Sequence, residues 1–311
     1  MSYQNLGNTC FINCILYTFH YSSALNSLLT LREKEIVQNK KDSFVSILLN
    51  SIQDEKRLPV LVQYLERYFP SYSRGAQFDA HEFLLFILEH LKSDWYIVNT
   101  ESEKICESCQ LVETDSINSN WTLLYNTETS FSDALMSLNR EILELNCNEC
   151  GSTTRHLRNI KLTPPLLWCF QFPQVKKKTA NVLLPTEFQY HTESERYTYC
   201  LVSAVVHITL KKEVGHYVTF IHNDKRVYKA KIKKSKSFES LKSARTSLDS
   251  IRDSLSNVDI SCTFSNKAKF LKCNDDEISD LSGTELYKHL ALPHHHLYLV
   301  WYQMIDKASV I

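Results

Sequence analysis

The chain has 311 residues, enough for one large domain or two ordinary ones with a substantial core. Apolar residues make up 43% and charged residues 23%, the balance of a soluble globular protein, and 35 basic side chains meet 35 acidic ones. That zero net charge excludes the global basic field of a nucleic-acid or acidic-membrane binder, and no apolar run is long enough to span a bilayer.

The first residues, Met-Ser-Tyr-Gln-Asn, lack the basic and apolar segments of a secretory signal, so a cytoplasmic or nuclear address is expected. In that compartment the ten cysteines are expected as buried thiols, metal ligands or a nucleophile, not as disulfides. From Cys10 an apolar run reads as a buried helix, with Leu25, Leu28 and Leu29 following at helical spacing. Helical patterns continue over 44–52 and 60–68. A third strong helix covers 79–91, with Ala80, Phe83, Leu84, Ile87, Leu88 and Leu91 on one face. After Ile105 the texture turns polar and β-branched around two cysteine pairs. Strand patterns then appear over 166–172, 199–209, 217–222 and 297–302. A Lys- and Ser-rich stretch over 226–266 interrupts them. Its Leu241, Ala244, Leu248, Ile251, Leu255 and Val258 form a heptad-like stripe, which predicts an inserted helix or helical hairpin rather than a strand. Such an insert is a surface excursion or an arm that docks a regulatory protein.

Asn5-Leu6-Gly7-Asn8-Thr9-Cys10-Phe11 puts a cysteine where a loop enters a helix, and unpaired N–H groups with the helix dipole favour a thiolate there. A buried structural thiol is the plainer alternative, and Cys14 one turn on suits it. Asn5 and Asn8 could donate N–H groups to an oxyanion. Among twelve histidines, His216 stands out, because Gly215 precedes it and a strand pattern follows. The residue that orients its imidazole can be Asn or Asp, and the polar run Asn274-Asp275-Asp276-Glu277 after an apolar one offers both.

The metal signal is local. Cys106-x2-Cys109 and Cys147-x2-Cys150 each cup an ion from a turn, and Gly151 suits the tight turn after the second pair. Four thiolates predict one structural zinc with no open position for catalytic water. A zinc hydrolase reading of His81-Glu82 fails, since the second histidine of the metal motif would fall at Leu85. A zinc-ribbon nucleic-acid module conflicts with the neutral charge.

Five segments in order resemble the ubiquitin-specific protease family. Asn5 to Asn13 resembles its cysteine box, and Gln77-Phe78-Asp79-Ala80-His81-Glu82-Phe83 its Gln-Gln-Asp-Ala-His-Glu-Phe box. Gly215-His216-Tyr217, preceded by Ala204 to His207, resembles the histidine box. Lys272 to Ile278 resembles the acid box, and 297–302 the closing strand. The resemblance implies an α+β, papain-like cysteine protease fold in a single catalytic domain: a helical thumb (1–100), zinc-bearing β fingers (101–161) and a β-rich palm (162–311). It implies Cys10 as nucleophile, His216 as base, and Asn274 as the orienting residue with Asp275 as substitute or helper. Asn5 matches the oxyanion asparagine, while Gln77, Asp79, His81 and Tyr217 match the substrate-binding side. Ubiquitin and ubiquitinated proteins are the implied partners. The reaction is thiol-dependent hydrolysis of the isopeptide bond after ubiquitin's terminal glycine, through a thioester. An inactive ubiquitin-binding scaffold of the same fold is the competing expectation. The chain departs from the family in two places. The acid box lies unusually far beyond His216, a distance the 226–266 insert accounts for. The family's His-Leu-Lys-Arg-Phe strand reads Trp168-Cys169-Phe170-Gln171-Phe172, without its basic pair.

Overall fold

The computed structural model describes residues 1–37, 44–69, 72–73, 75–120, 123–124, 130–172, 183–192, 194–211, 214–228 and 259–309. Five helices open the chain: α1 (Cys10–Tyr21), α2 (Ser23–Val37), α3 (Phe44–Gln53), α4 (Leu58–Tyr68) and α5 (Ala80–Leu91). α1 is apolar on every side and contains neither Gly nor Pro, the pattern of a helix buried all round. Every residue from Cys10 to Phe19 is indeed buried. α5 shows how sequence sets a boundary. Asp79 caps it by accepting from the His81 and Glu82 N–H groups, and Lys92 ends it in the left-handed region at φ 45°.

Next come β1 (Val98–Cys106), β2 (Val112–Asn120), β3 (Leu123–Leu124), α6 (Phe131–Ser137), β4 (Arg140–Asn146) and β5 (Thr153–Thr163). Four of these strands form an antiparallel sheet in the order β2-β1-β5-β4. The remaining elements are β6 (Leu167–Gln171), β7 (Glu187–His191), β8 (Glu195–Lys211), β9 (Val214–His222), α7 (Lys225–Tyr228), β10 (Asp259–Thr263), β11 (Lys269–Asn274), β12 (Glu277–Ser282), α8 (Gly283–Ala291) and β13 (His295–Ser309). They build a nine-stranded sheet in the order β12-β11-β9-β8-β13-β6-β3, with β7 on β8 and β10 on β7. The long strands β8 and β13 are its spine. β7 pairs with the first part of β8 and β9 with the rest.

Both faces of this sheet are covered, which is why its central strands read as near-continuous apolar runs. Leu167, Cys169, Val205, Tyr217, Ile221 and Trp301 join the helical core on one face. Their neighbours Trp168, Phe170, Ala204, Val206, Val218, Phe220 and Val300 fill a second core on the other face, with α6 and α8. The alternation follows the two-residue period of a strand. α1 lies between the two halves, packed on α2, α3 and α5 and on β8, β9 and β11. Its first residue therefore meets the sheet.

The stripe from Leu241 to Val258 lies outside the described residues. One end of the stretch read as an insert is not helical but sheet. Residues 259–263 form β10, in register with β7 from Asp259↔His191 to Thr263↔Glu187. Ile260 at 8% exposure turns into the second core between exposed neighbours, a strand alternation too short to separate from the polar stretch before it. No helix among the described residues is long and apolar enough to cross a membrane.

Candidate active site

The loop before α1 is wound tightly by two successive left-handed residues, Gly7 at φ 97° and Asn8 at φ 55°. Asn5 organises it: its Oδ1 accepts from the Gly7 and Thr9 N–H groups, each at 3.1 Å. Thr9 Oγ1 in turn accepts from Leu6 N at 2.9 Å. This holds Cys10 as the first residue of α1, at 5% exposure. The first N–H groups of a helix have no partner within it and carry the positive end of its dipole.

His216 comes from β9 and Asn274 from the end of β11, and the two meet at 2.6 Å between Nε2 and Oδ1. Asn274 Nδ2 points to Glu277 Oε2 at 3.5 Å, so its oxygen faces the ring. An amide oxygen only accepts, so Nε2 carries a proton and Nδ1 is left for the sulfur. The Cys10 thiol is the strongest electrostatic partner of this imidazole. That interaction is the main reason the His216 pKa rises to about 9. Burial opposes the rise, while Asn274 and the Asp275 carboxylate reinforce it. Residues 10, 216 and 274 are thus brought together from a helix and two strands.

Asp275 sits at 3.8 Å from His216 Nε2 through its Oδ2, too far for a hydrogen bond. Its own contacts tie the acid turn to the cysteine loop and to α1. Asp275 Oδ2 accepts from Asn5 Nδ2 at 2.9 Å, and Oδ1 from Asn13 Nδ2 at 2.8 Å. The Asp275 carbonyl accepts from Tyr17 Oη at 2.6 Å. Asn274 and Glu277 pair across a hairpin whose two-residue loop needs a left-handed residue, and Asp275 supplies it at φ 49°. Asn13 and Tyr17 carry no sequence signal as site residues beyond being polar groups on an apolar helix. In the structure the Asn13 amide is 1% exposed, so its bond to Asp275 satisfies a buried donor.

A cleft of about 340 Å³ ends at Cys10 and is lined by Gln77, Phe78, Asp79 and Glu82 on one wall, with His207, Gly215 and Tyr217 on the other. Asp79, besides capping α5, accepts from Tyr298 Oη at 2.5 Å and so joins the helices to β13. Tyr217 packs against His207 and Tyr298 with tilted rings, centroids 4.8 and 5.7 Å away. Gln77 spans the cleft. Its Oε1 accepts from Gly215 N at 3.0 Å, and its Nε2 donates to Gly215 O at 2.7 Å. His81 is half-buried on α5 and is not one of the lining residues; burial holds its imidazole below the ordinary value. Gly215 is needed for room: a Cβ there would stand 2.0 Å from His207 Nε2. His207 therefore shapes the cleft.

The sulfurs of Cys106, Cys109, Cys147 and Cys150 lie within 4.8 Å of one another, and all four are free thiols. Cys109 and Cys147 sulfurs are 3.6 Å apart. Tetrahedral Zn–S bonds of about 2.3 Å would set sulfurs about 3.8 Å apart, so the donor set fits a metal ion. Two turns of the same design present them. Gln110 N donates to Cys106 O, Gly151 N donates to Cys147 O, and each donor is left-handed, at φ 61° and 67°. The pairing of β1 and β4 with β5 brings the two turns together. A second group, Cys200, His222 and Asp224, also gathers. It already holds a cation. Arg226 binds the Asp224 carboxylate at 2.7 Å and Glu187 at 2.7 Å, and reaches the Cys200 sulfur at 4.0 Å.

Many solved structures share this fold, among them the following. The Ubp8/Sgf11/Sus1/Sgf73 deubiquitinase module of SAGA bound to monoubiquitin is 17% identical, with a TM-score of 0.66 over 97% of this chain and 68% of that one. The same module bound to ubiquitin aldehyde gives 17% and 0.67, covering 97% and 69%. The yeast module with a variant Sgf73 gives 16% and 0.65, covering 97% and 68%. No curated protein sequence matches the chain. The sequence profile of the ubiquitin carboxyl-terminal hydrolases matches residues 1–292, and the chain belongs to that family.

Proposed function

We propose that the chain is a cysteine-type deubiquitinase in which Cys10, His216 and Asn274 cleave the isopeptide bond after ubiquitin's terminal glycine. The observation that carries this reading is one imidazole held by Asn274 at 2.6 Å, with Cys10 as the main cause of its raised pKa. Asn274 holds the ring so that the remaining nitrogen faces the sulfur. His216 Nδ1 takes the Cys10 thiol proton as the sulfur attacks the glycine carbonyl carbon, and the imidazolium then gives that proton to the departing lysine amine. A thioester remains on Cys10. His216 then takes a proton from water, whose oxygen attacks the thioester and releases ubiquitin's carboxylate and the thiol. Asn5 has one N–H engaged by Asp275 and its carbonyl fixed by two backbone donors. Its second N–H and the Cys10 backbone N–H are the oxyanion donors in this reading. An inactive scaffold would be expected to lack a member of the set, and none is missing here.

In the same reading, ubiquitin's tail occupies the cleft between Asp79 and Tyr217, and its body is gripped by the finger sheet. The four cysteines hold one structural zinc, which ties two turns together and takes no part in the reaction. Residues 1–100, 101–161 and 162–311 act as thumb, fingers and palm of one catalytic domain. Ten free thiols support a reducing, cytoplasmic or nuclear setting. Ubp8 is solved with ubiquitin and with Sgf11, Sus1 and Sgf73. For this chain ubiquitinated proteins are the substrates, and the 226–266 stretch, apart from the β10 strand within it, is the candidate arm for a regulatory protein. The test is turnover of ubiquitin carrying a fluorogenic carboxyl-terminal amide. Wild type is expected to release the fluorophore and Cys10→Ser to lose at least about a thousandfold. Equal rates in the two would remove the nucleophile assignment.

A further inference from the structure

An isopeptide has two sides, and the tail cleft accounts for one. With ubiquitin's end in the cleft that stops at Cys10, the lysine and its polypeptide must leave on the other side of the Cys10–His216 line. The Asn5–Asp275 hydrogen bond at 2.9 Å joins the cysteine loop to the acid turn. A second cleft of about 380 Å³ is lined by Leu6 and Asp276, the residues that follow this bonded pair in sequence. Leu58 forms its floor at 1% exposure, with exposed Pro59 beside it. Glu55 and Lys56 stand on the far rim, in a short 3-10 turn fixed by Asp54, which accepts from Lys56 N at 3.1 Å. Three apolar side chains are thus combined with two carboxylates and one ammonium. Neither Glu55 nor Asp276 forms an ion pair with a described residue.

We infer that this cleft holds the acceptor polypeptide beside the modified lysine and favours an apolar residue next to a basic one. The inference rests on the deubiquitinase reading and adds to it a subsite for the leaving group. Apolar contact with exposed Pro59 and half-buried Leu6 supplies the attraction, and the carboxylates select its charge.

The experiment uses the full chain and two substrates, in each of which ubiquitin's terminal glycine is joined to the lysine of a short peptide. One peptide flanks the lysine with leucine and arginine, the other with leucine and glutamate. The quantity read is the ratio of their kcat/KM values, which cancels any general loss of activity in a variant. Exposed charge pairs are weak, so wild type is expected to favour the arginine peptide by about threefold to fivefold. Glu55→Lys is expected to lower that ratio to near one or below, and Lys56→Glu to raise it. A ubiquitin fluorogenic amide, which has no acceptor polypeptide, reports separately whether the catalytic centre is intact. A wild-type ratio of one, or a ratio that neither substitution moves, overturns the subsite while leaving the deubiquitinase intact. Failure of wild type to turn over any of the three substrates overturns both.

Discussion

The four-cysteine cluster and the proposed catalytic centre are both built on cysteine, yet they are assembled in opposite ways. In the cluster each turn delivers two sulfurs by itself, so the chemistry is contained in Cys-x-x-Cys and the adjoining strands only bring two copies together. At the proposed catalytic centre no segment delivers more than one member of the triad. Cys10, His216 and Asn274 meet because α1 lies across β9 and β11, and Asp275 pins the acid turn to Asn5 and Asn13. A local site is exposed to loss of a ligand. A dispersed one is exposed to loss of alignment.

The largest expected effect falls on the dispersed site. His216→Ala is expected to lower kcat by about a thousandfold or more, measured with the ubiquitin amide, because proton transfer and the sulfur's partner go together. The same residue sets a pH limb. Its pKa is raised to about 9 by Cys10, so the protonated ring is the form the fold stabilises. Its contribution to stability is whole below the ordinary histidine value and is lost as pH climbs through about 9. kcat/KM is expected to fall over that window. A flat profile to pH 10 would separate His216 from the reaction.

Asn274→Ala removes alignment while leaving nucleophile and base in place. A loss in kcat of about tenfold to a hundredfold is expected, with KM little changed. A loss as large as that of His216→Ala would mean that Asn274 does more than orient the ring.

Cys147→Ser tests the other half of the comparison. Elemental analysis is expected to find one zinc per wild-type chain and none in the variant, whose Tm should drop by on the order of 10 °C. If the four-cysteine cluster is a separate local site, KM for ubiquitin substrates rises while kcat holds. A kcat that falls as far as KM rises would erase the contrast.

The smallest effect is expected at Gln77. Gln77→Ala deletes both bonds that hold Gly215, the residue before His216, and should lower kcat by about threefold to tenfold. Gln77→Glu, which keeps the acceptor for Gly215 N but cannot donate to Gly215 O, should lie between.

Sequence legibility follows the same division. The Cys-x-x-Cys turns, the start of α1 at Cys10 and the capped α5 were readable because each signal lies within a few residues. Cys10, His216 and the Asn274–Asp275 run each carry a local signal, but nothing in the spacing of 10, 216 and 274 indicates proximity, which only the family resemblance implied. Two features were out of reach. β10 looked like part of a polar stretch because its partner β7 precedes it by a long interval, and register with a distant strand leaves no local trace. The bonds of Asp275 to Asn5, Asn13 and Tyr17 depend on the packing of α1 against β11. Gly215 was singled out for its place before His216, but the need for a glycine there comes from His207 on the neighbouring strand.

The most direct test uses ubiquitin bearing an electrophile in place of its terminal carboxylate, followed by mass-spectrometric mapping of the adduct. The expected result is a single covalent ubiquitin on Cys10 in wild type, much slower labelling of the same residue in His216→Ala, and none in Cys10→Ala. Ubiquitin attached to any other cysteine, or labelling of Cys10 that is indifferent to the loss of His216, would contradict the assembled pair.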